Sequence, residues 1–275
     1  MTAAGDAEFE IRLLLEAIFH KYQYDFRDYA MASLKRRLTL AVDKLGTRTI
    51  SGLQERVLHE PRGFAELLPY LTVPVSDMFR DPVFFRALRE RVVPVLRTYP
   101  SLKIWVAGCS TGEEVYSLAI LLKEERLLDR TTIYATDINP DSLAKAQAGV
   151  YELSRVRQFT ENHRLAGGSG SLSDYYTAAH GAARLHPSLR ERVVFSDHSL
   201  ATDSVFAEVQ LVTCRNVLIY FNRTLQERVI SLFKDALCHR GFLGLGSRES
   251  LRFTAQAGAF EELVRAARIY QKVAG

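Results

Sequence analysis

The sequence predicts an α/β fold, a parallel sheet covered by helices on both faces, preceded by a small all-helical part. Three observations carry this. Residues from about 8 to 72 repeat apolar side chains at helical spacing, with no strand-like alternation. From about residue 100, apolar runs of strand length alternate with helical stretches, the pattern of successive β–α units. The 275 residues are 47% hydrophobic and 25% charged, which excludes a disordered, collagen-like or coiled-coil chain.

Residues 1–72 are read as an N-terminal helical domain. Phe9, Leu13, Ile18 and Tyr22 recur at helical spacing, then Tyr29, Leu34, Leu38 and Val42, then Leu53, Val57 and Leu58. Gly46 and Gly52 punctuate the bundle, and Pro61, Pro69 and Pro74 lie where it gives way. Residues 73–99 are a linker and a connecting helix, with Asp81-Pro82 as the helix start. Residues 100–275 hold the strand candidates LKIWVAG (102–108), TIYATD (132–137), RVVFS (192–196), VQLVTC (209–214) and FLGLG (242–246), with RIYQKV (268–273) as a last strand. EEVYSLAILLKEERLL and LQERVISLFKDAL supply helices between them. The region of about 150–190 breaks the rhythm, contains the flexible AGGSGS (166–171), and reads as an insertion.

Several classes are excluded at once. No apolar run approaches the roughly 18 residues that cross a bilayer. The opening MTAAGDAEFEIRLLLEAIFHKY carries acids where an export signal carries bases, so a cytoplasmic location is expected. Cys109, Cys214 and Cys238 lie far apart and read as buried free thiols, with no metal site. The net charge of +4 is mild and does not demand nucleic acid.

Four stretches carry chemistry. In VAGCSTGEEVYSLA (106–119) a strand turns through Gly108 and Gly112 into a helix, and the glycines let a ligand approach the backbone. Glu113 and Glu114 open that helix; they would repel a pyrophosphate and accept a cationic ligand, or simply favour the helix N-terminus. In YATDINPDSLAKA (134–146), Asp137 ends the second strand, where an acid commonly takes a ribose diol; the alternative is that Asp137 or Asn139 caps the next helix. Together these two stretches fit a nucleoside ligand without a negative tail, as S-adenosylmethionine is. VTCRNVLIYF (212–221) sets Arg215 and Asn216 at the C-terminal end of a strand, over the expected cleft. In VPVSDMFRDPVFF (73–85), Arg80 faces either the cleft or solvent.

These stretches, in this order, resemble the CheR family of chemotaxis receptor methyltransferases. The carriers are MFRDPVFF, AGCSTGEEVYSLA, ATDI, the SLATD after VVFSDH, CRNVLIYF and GFLGLGSRESL. The resemblance implies a Rossmann-like, S-adenosylmethionine-dependent methyltransferase domain with a small N-terminal all-helical domain and an inserted β-subdomain. It implies methyl transfer to glutamate side chains on the cytoplasmic helical region of chemotaxis receptors, with S-adenosylhomocysteine as product. By motif, Arg80 lies beside the donor's methionine end, Ser76 is a hydroxyl residue four positions before it, and Glu114 is near the methionyl amine. Gly108 shapes the donor turn, Asp137 matches the ribose-binding acid, Ser199 and Leu200 match an Asn-Leu pair beside the adenine, and Arg215 and Asn216 match the polar pair after the fourth strand. Tyr220 matches a tyrosine near the transferred methyl, and Arg80 and Tyr220 are the catalytic candidates. Two departures stand out: Pro74 replaces a frequent asparagine, and Ser199 replaces the asparagine of Asn-Leu.

A glutamate acceptor, with a pKa near 4.3, is already ionised at neutral pH, so no general base is needed. His198 is accordingly given a packing or adenine-side role rather than a catalytic one. The competing readings are a non-catalytic S-adenosylmethionine-binding regulatory module and a methyltransferase of a non-motility chemosensory pathway. A nucleic-acid methyltransferase is disfavoured, because CRNV stands where base-amine methylation shows an Asn/Asp-Pro-Pro-aromatic motif. A monomer is expected. Segment 27–48 holds Arg27, Lys35, Arg36, Arg37, Lys44 and Arg48 against Asp28 and Asp43. Lys35, Arg36 and Arg37 are read as spread over the exposed side of a helix whose apolar face holds Leu34 and Leu38, where they dock an acidic receptor helix or only solvate the face.

Overall fold

The helical spacing at the N-terminus becomes four helices, α1 (Ala3–Tyr22), α2 (Met31–Lys44), α3 (Ile50–His59) and α4 (Gly63–Leu71). The computed structural model describes residues 3–252 and 254–273. Its contacts separate two units, one of Met1–Pro74 with Ser199–Asp203 and Leu218–Val229, the other of Val75–His198, Ser204–Val217 and Ile230–Gly275.

In the first unit each helix buries one stripe: Ile11, Leu14, Leu15 and Ile18 on α1, Leu34, Leu38 and Ala41 on α2, Leu53 and Val57 on α3, Leu67, Leu68 and Leu71 on α4. The stripe on α1 corrects the sequence reading. Phe9 and Leu13 are 57% and 42% exposed, because two interleaved apolar rows run along this helix and the other one turns inward. Pro69 lies inside α4 rather than beyond the bundle, two residues from the helix end.

The second unit begins with α5 (Pro82–Ala87), a single π-helical turn (Leu88–Val92) and α6 (Val93–Leu96). Then follow β1 (Leu102–Ala107), α7 (Glu113–Glu124), β2 (Thr131–Asp137), α8 (Pro140–Ala148), β3 (Val150–Glu152), α9 (Leu153–Leu165), β4 (Tyr176–Ala179), β5 (Ala182–Leu185), β6 (Val193–Asp197), β7 (Val209–Cys214), α10 (Arg223–Ala236), β8 (Leu237–Leu245), β9 (Phe260–Val264) and β10 (Ile269–Lys272). The main sheet has the order β6-β2-β1-β7-β8-β10-β9. Its first five strands are parallel, and β10 runs antiparallel to both β8 and β9. This is the Rossmann-like methyltransferase architecture. Strand β9 escapes sequence reading, since its FEELV exposes both glutamates at the sheet edge.

Chain order reverses between β1 and β7, which places a topological switch point, and hence the ligand crevice, at their carboxyl ends. The inserted part, between α8 and β6, holds the antiparallel sheet β3-β5-β4 and the 13-residue helix α9. Its AGGSGS stretch is a hydrogen-bonded helix end rather than a free linker: the Ala166 and Gly168 amides donate to Asn162 O (2.8 Å) and His163 O (2.9 Å), and Ser171 opens a capping box.

The turn from β1 to α7 depends on Gly112. Its φ is +91°, and a Cβ there would lie 2.8 Å from Ala146 Cβ and 2.9 Å from Ala146 Cα on α8. Gly112→Ala should therefore cost about 2–4 kcal/mol, combining backbone strain with overpacking. Gly46→Ala keeps only the strain, because nothing lies within 4 Å of its Cβ position at φ +68°; it should cost about 1–2 kcal/mol. Denaturant unfolding of the two variants checks the difference.

Candidate active site

The switch point is shaped first by backbone. At Gly108, with φ +70°, a Cβ would sit 2.6 Å from Val217 Cγ2, so only glycine lets β1 turn beneath the end of β7. The next residues are pinned to β2: Cys109 N donates to Thr136 O (2.8 Å) and Ser110 N to Asp137 Oδ2 (2.7 Å). Asp137 Oδ1 accepts the amide of Asn139 (2.9 Å). Asn139 is the helix cap, its Oδ1 accepting from Asp141 N (3.0 Å) and Ser142 N (3.3 Å). Burial raises the Asp137 pKa, and the amides of Asn139, Ser110 and Ile138 oppose that without cancelling it. Asp137 thus braces the glycine turn from the end of β2.

The two glutamates at the start of α7 have different partners. Glu113 is fully buried; its Oε1 accepts from Arg155 Nη1 (2.9 Å) and its Oε2 from Thr111 Oγ1 (2.6 Å). Glu114 Oε2 accepts from Arg215 Nη1 (3.0 Å), whereas Glu114 Oε1 is buried with no hydrogen-bond partner among the described residues. Arg215 is itself buried. Its Nη2 donates to Asp81 Oδ2 (2.9 Å) and Arg80 O (2.8 Å), and its guanidinium lies 4.2 Å from the Phe84 ring centroid. Asn216 has φ +61°, and its amide donates to Glu249 Oε2 (3.0 Å), which also receives Gly246 N (2.6 Å). Arg80 is half-buried, and its guanidinium has no partner among the described residues. The side chains of Arg215 and Glu113, by contrast, are committed to the protein itself.

Gly108, Glu114, Asp137, Arg215 and Asn216 therefore gather at the carboxyl ends of β1, β2 and β7. Arg80 is tied to them through its carbonyl, and Ser76 through Arg155, which donates to Ser76 O. Ser199, Leu200 and Tyr220 belong to the first unit. There Ser199 N donates to Asp203 Oδ2 (2.9 Å), Ser199 Oγ is buried without a partner among the described residues, Leu200 is buried, and Tyr220 O accepts from Ala30 N (2.8 Å). Arg36 is exposed and Lys35 half-buried, but Arg37 corrects the expected exposed trio. Only 7% exposed, it faces inward, donates to Ser33 O (3.2 Å) and Leu71 O, and stands 5.2 Å from the Tyr220 ring centroid.

Sequence reading missed Arg155, Asp81 and Glu249. The first lies on α9, where Val156, Phe159 and His163 do recur at helical spacing and are buried. That signal was available despite the poor rhythm around it. No signal short of the fold pairs Asp81 or Glu249 with its partner.

This crevice suits a donor that carries a nucleoside and a cationic, amino-acid end. Two buried side-chain oxygens there, Glu114 Oε1 and Ser110 Oγ, have no hydrogen-bond partner among the described residues. Among the described residues no group of three or more His, Cys, Asp or Glu is placed to hold a metal. Fold and site together define an S-adenosylmethionine-dependent methyltransferase. The family profile described as "CheR methyltransferase, SAM binding domain" matches residues 74–266, and that described as "CheR methyltransferase, all-alpha domain" matches residues 10–72. The chain belongs to the CheR methyltransferase family. It is 60% identical over 272 residues to "Putative methyltransferase Cher3" of Pseudomonas putida, covering 99% of this chain and 100% of the relative. "Chemotaxis protein methyltransferase 1" of Pseudomonas aeruginosa is 29% identical over 263 residues, 90% of this chain and 92% of the relative. "Chemotaxis protein methyltransferase" of Salmonella typhimurium is 30% identical over 233 residues, 82% and 76% of the respective chains.

Asp137→Ala should weaken S-adenosylhomocysteine binding by more than about 1 kcal/mol, through loss of charge-assisted bonds and of the brace on Ser110. Asp137→Asn keeps one acceptor and should fall between. Calorimetry that finds unchanged affinity in the alanine variant removes Asp137 from the binding site.

Proposed function

We propose that this methyltransferase moves a methyl group from S-adenosylmethionine to glutamate side chains on the cytoplasmic helical region of chemotaxis receptors, forming methyl esters. It acts as a monomer in the cytoplasm. The observation that carries the reading is the contrast between Arg80 and its neighbours. Arg155 and Arg215 are each paired with two carboxylates, whereas the half-buried Arg80 has no carboxylate partner among the described residues and its backbone is pinned. An arginine kept free beside an unpaired glutamate oxygen suits the two charges of an amino-acid end: Arg80 takes the carboxylate and Glu114 Oε1 the amine. The relatives named as chemotaxis protein methyltransferases support the receptor as acceptor. No helix among the described residues is long and apolar enough to cross a membrane, in keeping with an enzyme that meets its receptor from the water phase.

S-adenosylmethionine supplies an electrophilic methyl on a sulfonium. The acceptor glutamate reaches the site ionised, so the protein need not remove a proton. Its own work is alignment. Asp137 and the glycine turn hold the nucleoside, and Arg80 and Glu114 hold the amino-acid end. Lys35 and Arg36 on α2 steer the acidic receptor helix, and Arg37 supports the Tyr220 ring from within.

Labelled methyl should pass from S-adenosylmethionine to a receptor fragment and be released as methanol at high pH, the mark of an ester. A fragment that acquires no label sinks the proposal. Arg80→Ala should lower turnover roughly a hundredfold while changing stability by less than about 0.5 kcal/mol, since its side chain has no protein partner to lose. The double reversal Lys35→Glu, Arg36→Glu should raise the receptor KM and flatten its salt dependence, with S-adenosylhomocysteine affinity unmoved. Unchanged receptor kinetics would return α2 to a purely solvated face.

A further inference from the structure

The segment that presents Arg80 makes a turn bond of its own, Arg80 N to Asp77 O (3.3 Å), and leans on other elements for the rest. Phe79 and Asp81, on either side of it, both sit in the left-handed region, at φ +51° and +56°. A non-glycine residue keeps that conformation only when its surroundings impose it. Four anchors do so. Arg155 Nη2 donates to Ser76 O and to Asp77 Oδ1 (2.9 Å). Asn162 Nδ2, buried, donates to Met78 O (3.0 Å). Ser117 Oγ accepts Phe79 N (2.8 Å), and Arg215 Nη2 donates to Arg80 O (2.8 Å). The first two anchors come from α9, in the inserted part, not from the methyltransferase core. The same Arg155 guanidinium also binds Glu113 Oε1 (2.9 Å), one residue before Glu114, whose Oε2 is held by Arg215.

We infer that α9 is the positioning element of the donor site: Arg155, with Asn162, holds the Ser76–Asp81 backbone and the start of α7 in the arrangement that binds the donor's amino-acid end. This rests on the reading of Arg80 and Glu114 given above. Arg155 touches neither donor nor acceptor and is a positioning residue. One guanidinium spans three acceptors on two segments, which its planar fork allows and a lysine ammonium on its single stem does not.

The test is calorimetry of S-adenosylhomocysteine on the full chain, paired with steady-state methyl transfer. Arg155→Met, which keeps an apolar stem against Phe159, should raise the Kd roughly tenfold and the donor KM by a similar factor, with the receptor KM within about twofold. Arg155→Lys should recover only part of the loss. A role confined to stability would lower the melting temperature and leave the donor and receptor constants in their original ratio. Asp77→Asn guards against misfolding: its side chain is 47% exposed, so the fold survives, and the donor Kd should still rise about threefold. Normal Kd values in folded Arg155→Met, or in Asp77→Asn if the former does not fold, overturn the inference while wild-type binding leaves the proposed function standing. Absence of binding by the wild-type chain overturns the proposed function instead.

Discussion

A buried guanidinium cannot stay uncompensated, and Arg215 imposes that constraint on everything around the crevice. Its side chain is 1% exposed. Neutralising it brings together Glu114 from α7 and Asp81 from the segment before α5, while the Phe84 ring covers its face. Losing Glu114, the more buried of the two partners, typically costs about 3–5 kcal/mol. The end of β7, the start of α7 and the Arg80 segment are therefore locked into one arrangement.

A second charge network fixes the inserted part in the same way. Glu124, at the C-terminal end of α7 and 2% exposed, accepts from Arg89, His163 Nε2 (2.8 Å) and Tyr175 OH (3.3 Å). Burial works to raise its pKa, but the bonds from His163 and Arg89 outweigh burial and hold the carboxyl below its usual range. Helix α7 thus carries a buried glutamate at each end: Glu113 bound by Arg155 of α9, and Glu124 bound by His163 of the same helix. An ion pair and a histidine–carboxylate hydrogen bond, about three turns apart, join α9 to α7. The inserted helix is thus tied to both ends of α7.

The parallel strands were legible because burial on both faces leaves them as continuous apolar runs, as in LKIWVAG and VQLVTC. The glycine turn and Asp137 were legible because close approach and strand-end acids restrict residue type. Strand β9 and the buried stripe of α1 were not. A polar edge strand lacks an apolar signature, and a helix with two apolar rows does not say which one turns inward. Arg37 shows the same limit: three consecutive cations have identical sequence signals, and only packing against Leu71 and Tyr220 selects the one that is buried.

By itself the sequence determined the α/β class, the helical N-terminal part, the crevice at the ends of β1, β2 and β7, and the cationic nucleoside donor. All of these rest on interactions between residues near in sequence or on the demands of one residue's own position. The tertiary structure alone decided how the charges pair. Arg215 finds Glu114 across 101 positions and Asp81 across 134, and Arg155 finds Glu113 across 42 and Asp77 across 78. Local pattern carries no record of such partners, because a buried charge requires only that some opposite charge arrive, and the folded backbone determines which one does.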